Sequence, residues 1–248
     1  MDILKAKLCA TLSKNTYNDD TTKTRQQFTD LGFPNIKFFN NSSSQAYVVH
    51  NKKEIYVIYR GTELDEIKDI TRNGMIWPTR GQKQGRVHSG FAEATDKIWD
   101  QLNSYLKEEV QKYKMADAVI FTGHSLGGAM AIISAARSDY IADIYTFGAP
   151  RAGNREYSRN IKSRSYRITN GHDIIPLILP PIGYHHGGIE YRMFDDDIHM
   201  VHSYLESWKF QIKIGMRKLV KLLWFRSLIL DHRIGEYEQN LKSFKLLP

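Results

Sequence analysis

The chain has 248 residues, of which 42% are hydrophobic and 12% aromatic, a content that suits one large globular domain and excludes a disordered polypeptide. Its net charge of +8 admits nucleic acid, an anionic membrane surface or mere solubility as explanations. No apolar run approaches the roughly 18 residues of a membrane span, and Cys9, the only cysteine, excludes an intramolecular disulfide.

Met1 to Lys7 lacks the apolar core of an export signal, so a cytoplasmic protein is expected. Asn40-Asn41-Ser42 fits a glycosylation acceptor, a match with little weight unless the chain is exported. Apolar residues at 4, 8 and 12 predict a first helix over Leu4 to Tyr17, with a polar loop over Asn15 to Thr24. Ala46 to Val49 and Ile55 to Tyr59 are β-rich runs separated by Asn51-Lys52-Lys53, a hairpin signal. The second run stops at Arg60-Gly61-Thr62, where a backbone N–H and a hydroxyl can aim at one point. That pair suits an oxyanion hole as well as an ordinary strand-ending turn. The mixed stretch from Leu64 to Arg86 reads as a flap over a site or as a long surface loop. Val87-His88-Ser89-Gly90-Phe91 leads into a helix over Ala92 to Tyr113, with His88 as a turn histidine.

The most informative stretch is Ala118 to Arg137. Ala118 to Phe121 predicts a buried strand, Gly123-His124-Ser125-Leu126-Gly127 a sharp turn, and the Ala-rich run from Gly128 to Arg137 a helix. Strand, serine-tipped turn and helix form the layout of a nucleophile elbow. Glycine is needed two residues either side of Ser125, because side chains there would collide. The helix N-terminus adds N–H donors and a dipole that favours a developing anion. Ile144 to Phe147 and Ser165 to Thr169 predict further strands, and their alternation with helices argues for a largely parallel sheet covered on both faces. Asp173 falls just past a strand end, on the sheet edge that Ser125 occupies, and is the best placed acid. The segment from residue 208 to 226 mixes apolar and basic residues, six of them basic from Lys209 to Arg226. This pattern suits anionic lipid or a core-packed helix with a solvated basic face.

These blocks together resemble the class 3 lipases, the family of the fungal triacylglycerol lipases. The likeness runs through Tyr59-Arg60-Gly61-Thr62, Val87 to Phe91, Gly123 to Ala129, Thr146 to Asn154, Asp173-Ile174-Ile175-Pro176 and Gly183-Tyr184-His185-His186. It implies an α/β-hydrolase fold in one domain, with a mostly parallel sheet, helices on both faces and a lid at 64–86. It implies Ser125 as nucleophile, Asp173 as triad acid, and Thr62 with the N–H of Leu126 as oxyanion hole. Two features depart from the secreted fungal members, which carry disulfides and an export signal, and the chain from Phe194 onward diverges.

The order Ser, Asp, His leaves His185, His186, His199, His202 and His232. His185 and His186 fall in a block that resembles a structural strand entry. His199 and His232 each precede a tyrosine by five residues, as in many family members. The family places a long interval between acid and histidine, and an Asp-His pair near the C-terminal end, which favours His232 over His199 and His202.

The expected chemistry is hydrolysis of a lipid carboxylic ester through an acyl-enzyme, with no cofactor and no metal. A phospholipase A1 or small-ester esterase at anionic membranes is the alternative within enzymes, and a non-catalytic signalling scaffold the alternative outside them. Nucleic-acid binding would rest on charge alone.

Overall fold

The structure, a computed structural model, describes residues 1–62, 78–81, 85–171, 173–194, 197–201 and 230–243. The predicted lid at 64–86 falls mostly outside these residues. So do the basic segment at 208–226, His172 and His202.

Asp2 starts helix α1 (Ile3–Asn15), its carboxylate accepting the N–H groups of Leu4 and Lys5 at 2.9 and 3.1 Å. Asp20 starts α2 (Thr21–Asp30) in the same way, so the polar loop expected to reach Thr24 ends at Asp20. In α2 only Thr24 and Phe28 are buried, too few apolar positions for a periodicity to show. Strand β1 (Asn35–Asn41) was likewise not foreseen, because Phe39 is its one fully buried residue and Ile36 and Phe38, only half-buried, sit among polar neighbours. The expected hairpin is present as β2 (Ser44–His50) and β3 (Ile55–Tyr59), paired antiparallel.

A two-stranded ribbon follows, β4 (Pro78–Arg80) with β5 (Arg86–His88), and then helix α3 (Ser89–Tyr113). The centre is β6 (Val119–His124), α4 (Leu126–Arg137) and β7 (Asp143–Phe147). A short helix α5 (Arg155–Arg159) precedes β8 (Arg164–Asn170), and β9 (Ile189–Phe194) and β10 (Asp197–Val201) complete the sheet. The last described helix is α6 (Ile234–Ser243). The large sheet runs β1-β2-β3-β6-β7-β8-β9-β10, parallel from β3 to β9 and antiparallel at both edges.

Strand alternation divides the core between the two faces. Ile55, Val57, Tyr59, Val119 and Phe121 pack on one side with Trp99 and Leu102 of α3 and Ala129 and Ile133 of α4. Tyr56, Ile58, Ile120, Tyr145 and Phe147 pack on the other with Ala6, Cys9 and Ala10 of α1 and with Tyr237 and Leu241 of α6. Helices on both faces of a mostly parallel sheet make this an α/β architecture, the layering expected of an α/β-hydrolase. The same layering delivers the C-terminal ends of β3, β6, β7 and β8 to one edge. Among the described residues no helix is long and apolar enough to cross a membrane.

Candidate active site

Strand β6 ends in a turn that only small neighbours permit. A Cβ added at Gly123 would strike the backbone of Gly127, and one added at Gly127 would strike the carbonyl of Tyr59. Between them Ser125 takes φ 58° and ψ −128°, a region that costs a non-glycine residue about 1–3 kcal/mol. Its N–H is held by the carbonyl of Phe147 at 2.9 Å, which offsets part of that strain. Ser125 occupies the cap position of α4, yet its hydroxyl caps nothing there. The hydroxyl points instead at His232, whose Nε2 lies 2.9 Å from Oγ.

His232 Nδ1 lies 2.8 Å from Asp173 Oδ2. A carboxylate can only accept, so the ring proton sits on Nδ1, and Nε2 is the acceptor for the serine O–H. Asp173 is fixed by the N–H of Ile175 on Oδ1 at 2.9 Å, and Tyr237 donates its O–H to Oδ2 at 2.6 Å. Ser125, Asp173 and His232 are each at most 2% exposed. Gly148 makes room for the group at φ +58°, since a Cβ there would overlap Asp173 Oδ2 and fall 2.9 Å from His232 Nδ1. His199, the competing histidine, lies in edge strand β10 opposite Arg192.

Three further residues join the network without a signal in the sequence beyond proximity or spacing. Tyr237 accepts the N–H of Asn170 at 3.1 Å while it donates to Asp173. Burial and the negative charge of Asp173 push its phenol well above the usual tyrosine range, so it stays a donor. His124 sits 2.5 Å through Nε2 from the carbonyl of His232 and 2.7 Å through Nδ1 from the hydroxyl of Tyr17. The carbonyl forces the proton onto Nε2, so Tyr17 donates to Nδ1. Burial, with His232 beside it, holds His124 well below the usual histidine range and keeps it neutral.

Thr62 Oγ1 is buried with no hydrogen-bond partner among the described residues, and Leu126 opens α4, where N–H groups lack intrahelical acceptors. His88 is fully buried at the start of α3, with ring centroids 4.1 Å from Phe91 and 5.7 Å from Tyr184. Among the described residues no cluster of three or more His, Cys, Asp or Glu side chains could hold a metal ion.

Comparison with known proteins gives the fold and site their family. The class 3 lipase family model matches residues 56–182, just over half of the chain, and the protein belongs to that family. A secreted mono- and diacylglycerol lipase of Fusarium solani is 39% identical over 160 residues, which cover 59% of this chain and 46% of that protein. A lipase of Rhizomucor miehei is 30% identical over 161 residues, covering 59% and 43%. The chain thus matches less than half the length of these relatives. Among solved structures, a Rhizomucor miehei lipase–propeptide complex superposes with a TM-score of 0.70 at 24% identity, covering 82% of this chain and 72% of that one. A triacylglycerol lipase described as having a serine protease triad superposes at 0.72 and 23% identity, covering 93% and 92%. At those identities the superpositions speak for the fold.

One expectation is corrected here. The cytoplasmic location rested on the residues at the start of the chain, but the Fusarium relative and a Malassezia restricta relative, 32% identical over 108 residues, are both named secreted lipases.

Proposed function

We propose that the protein is a serine hydrolase of lipid carboxylic esters. The observation that carries this is the buried chain Ser125–His232–Asp173, with links of 2.9 and 2.8 Å. His232 takes the Ser125 proton as the oxygen attacks the ester carbonyl, and Asp173 stabilises the imidazolium that forms. The tetrahedral oxyanion is held by the Thr62 hydroxyl, unpartnered among the described residues, and by the Leu126 N–H, each worth about 3–4 kcal/mol in comparable sites. His232 then protonates the leaving alcohol, and water repeats the sequence on the acyl-enzyme. Ser125 has no exposed surface in this conformation, so a substrate reaches it only after surrounding chain moves. That need agrees with a single domain whose lid lies within 64–86, and with action at an anionic lipid surface.

Ester hydrolysis by His232→Ala beside His199→Ala tests the assignment. The first should lose several orders of magnitude in kcat and the second little. The reverse result would move the triad to His199, and failure of a fluorophosphonate to label Ser125 in folded protein would favour a non-catalytic scaffold. Comparing phospholipid vesicles, a triacylglycerol emulsion and a soluble short-chain ester distinguishes the lipase, phospholipase and esterase readings.

A further inference from the structure

Away from Ser125, an open cleft of about 850 Å³ lies between β5, the loop after β7, and the chain that runs from Pro176 into β9. Its described lining brings five arginines against one carboxylate, Glu190. Arg167 and Arg192 share that carboxylate at 3.4 and 2.7 Å, and Thr169 donates to it at 2.9 Å. Burial opposes the charge on Glu190, but the two guanidinium groups outweigh it and hold its carboxyl below the usual range. Glu190 is therefore already used by the inner arginines. At the mouth, the exposed side chains of Arg86 and Arg155 make no hydrogen bond or ion pair among the described residues.

The histidine between these tiers registers the excess charge. Burial first, then Arg155, Arg151, Arg167 and Arg159, all lower the pKa of His185. Beside this basic mouth the chain presents an apolar tip, Pro181-Ile182-Gly183, in which Ile182 is 98% exposed. A free isoleucine gains nothing in water, whereas next to a basic cleft it can enter the acyl region while the arginines stay at headgroup level. Guanidinium groups pair bidentately with phosphoryl oxygens, which suits this depth and arrangement better than isolated lysines would.

We propose that this cleft binds the phosphoryl group of an anionic glycerophospholipid, with Ile182 inserted beside it, and so docks the protein on the lipid surface. The proposal deepens the reading of the protein as one that works at lipid surfaces and rests on that reading. None of Ser125, Asp173, His232 or Thr62 lines the cleft.

The test is sedimentation of the full chain with phosphatidylcholine vesicles, with and without phosphatidylglycerol. Arg86→Ala/Arg155→Ala should weaken binding to the anionic vesicles about tenfold or more, on the scale of two basic contacts near such a surface. Ile182→Ser should weaken it several-fold. The control Lys23→Ala/Lys37→Ala removes the same charge from exposed positions on α2 and β1 and should change binding less than about twofold. Circular dichroism establishes that each variant is folded. Equal losses in the two double variants would overturn the proposal in favour of general charge attraction. Saturable inorganic phosphate binding, read as a rise in the His185 pKa by NMR, together with unchanged vesicle binding in the cleft variants, would overturn it in favour of a soluble phosphate ligand. Hydrolysis of a soluble ester by the unmodified protein is measured alongside. Its absence counts against the hydrolase reading and leaves the binding result standing.

Discussion

Asp173 Oδ2 accepts two hydrogen bonds from opposite sides, from His232 at 2.8 Å and from Tyr237 at 2.6 Å. The tyrosine cannot swing away, because its oxygen also receives the N–H of Asn170. Tyr237→Phe should therefore cost about 1–3 kcal/mol of stability, since a buried N–H loses its acceptor. It should also lower kcat about tenfold with little change in KM, as a charge-assisted bond that orients the carboxylate is lost. Unchanged kcat on a soluble ester would show that Asp173 is held well enough by Ile175 alone. Spacing made the pair His232 and Tyr237 visible in the sequence, five residues apart, but not what the tyrosine touches, which lies 64 residues away. Tyr17 and His124 are further cases. His124 adjoins Ser125 in the chain, yet its bond to the His232 carbonyl depends on a segment 108 residues downstream.

At the scale of elements, α6 holds Tyr237, and α6 is itself held by α1. Ile234, Tyr237 and Leu241 are buried on the α1 side with Ala6, Cys9 and Ala10. Beside that seam Glu238 accepts from Thr11 at 2.9 Å, Lys14 at 2.8 Å and Lys242 at 2.8 Å. Burial works to raise its pKa, but these three donors outweigh it and bring it down to about 2. A carboxyl depressed in the fold contributes stability that is full above its unfolded value near 4.5 and is lost as pH falls through about 2. Glu238→Gln should thus be less stable by about 1–2 kcal/mol at pH 7 in urea denaturation, with the difference shrinking towards pH 2. A difference independent of pH would mean that packing, not charge, joins the helices. The strands β3, β6, β7 and β8 and the helices α1, α3 and α4 were legible because their apolar residues follow a clear period or run. The edge strands β1 and β10 and helix α2 were not, because each buries few side chains and tertiary pairing decides their state, and neither was the inner strand β9, whose buried Glu190 and Arg192 break the apolar pattern.

For the whole molecule, the fold keeps several histidines neutral in its interior, and acid should loosen it on that account. Burial brings His88 down to about 4, with neither ring nitrogen bonded among the described residues. Burial also depresses His124 and His186 well below the usual range, His124 with His232 adding to the effect and His186 with Arg167 and Arg151 doing so. Each such group binds a proton in the unfolded chain near pH 6.5 while the folded chain still refuses it. Stability is therefore complete above about 6.5 and falls as the pH drops towards the folded values. His88 alone accounts for roughly 3 kcal/mol. The carboxylate clamp at Glu238 begins to fail only below about pH 4.5, by which point most of the His88 contribution has already been lost. Thermal melts from pH 7 to pH 4 should show Tm declining, most of it before the Glu238 clamp starts to fail below about pH 4.5. His88→Leu, which cannot take a proton, should melt with a shallower slope over the same range. A Tm that stays level from pH 7 to pH 4 would mean that the buried histidines find proton acceptors as the fold is acidified, and that the interior around α3 and the Pro176 loop is less dry than its packing implies.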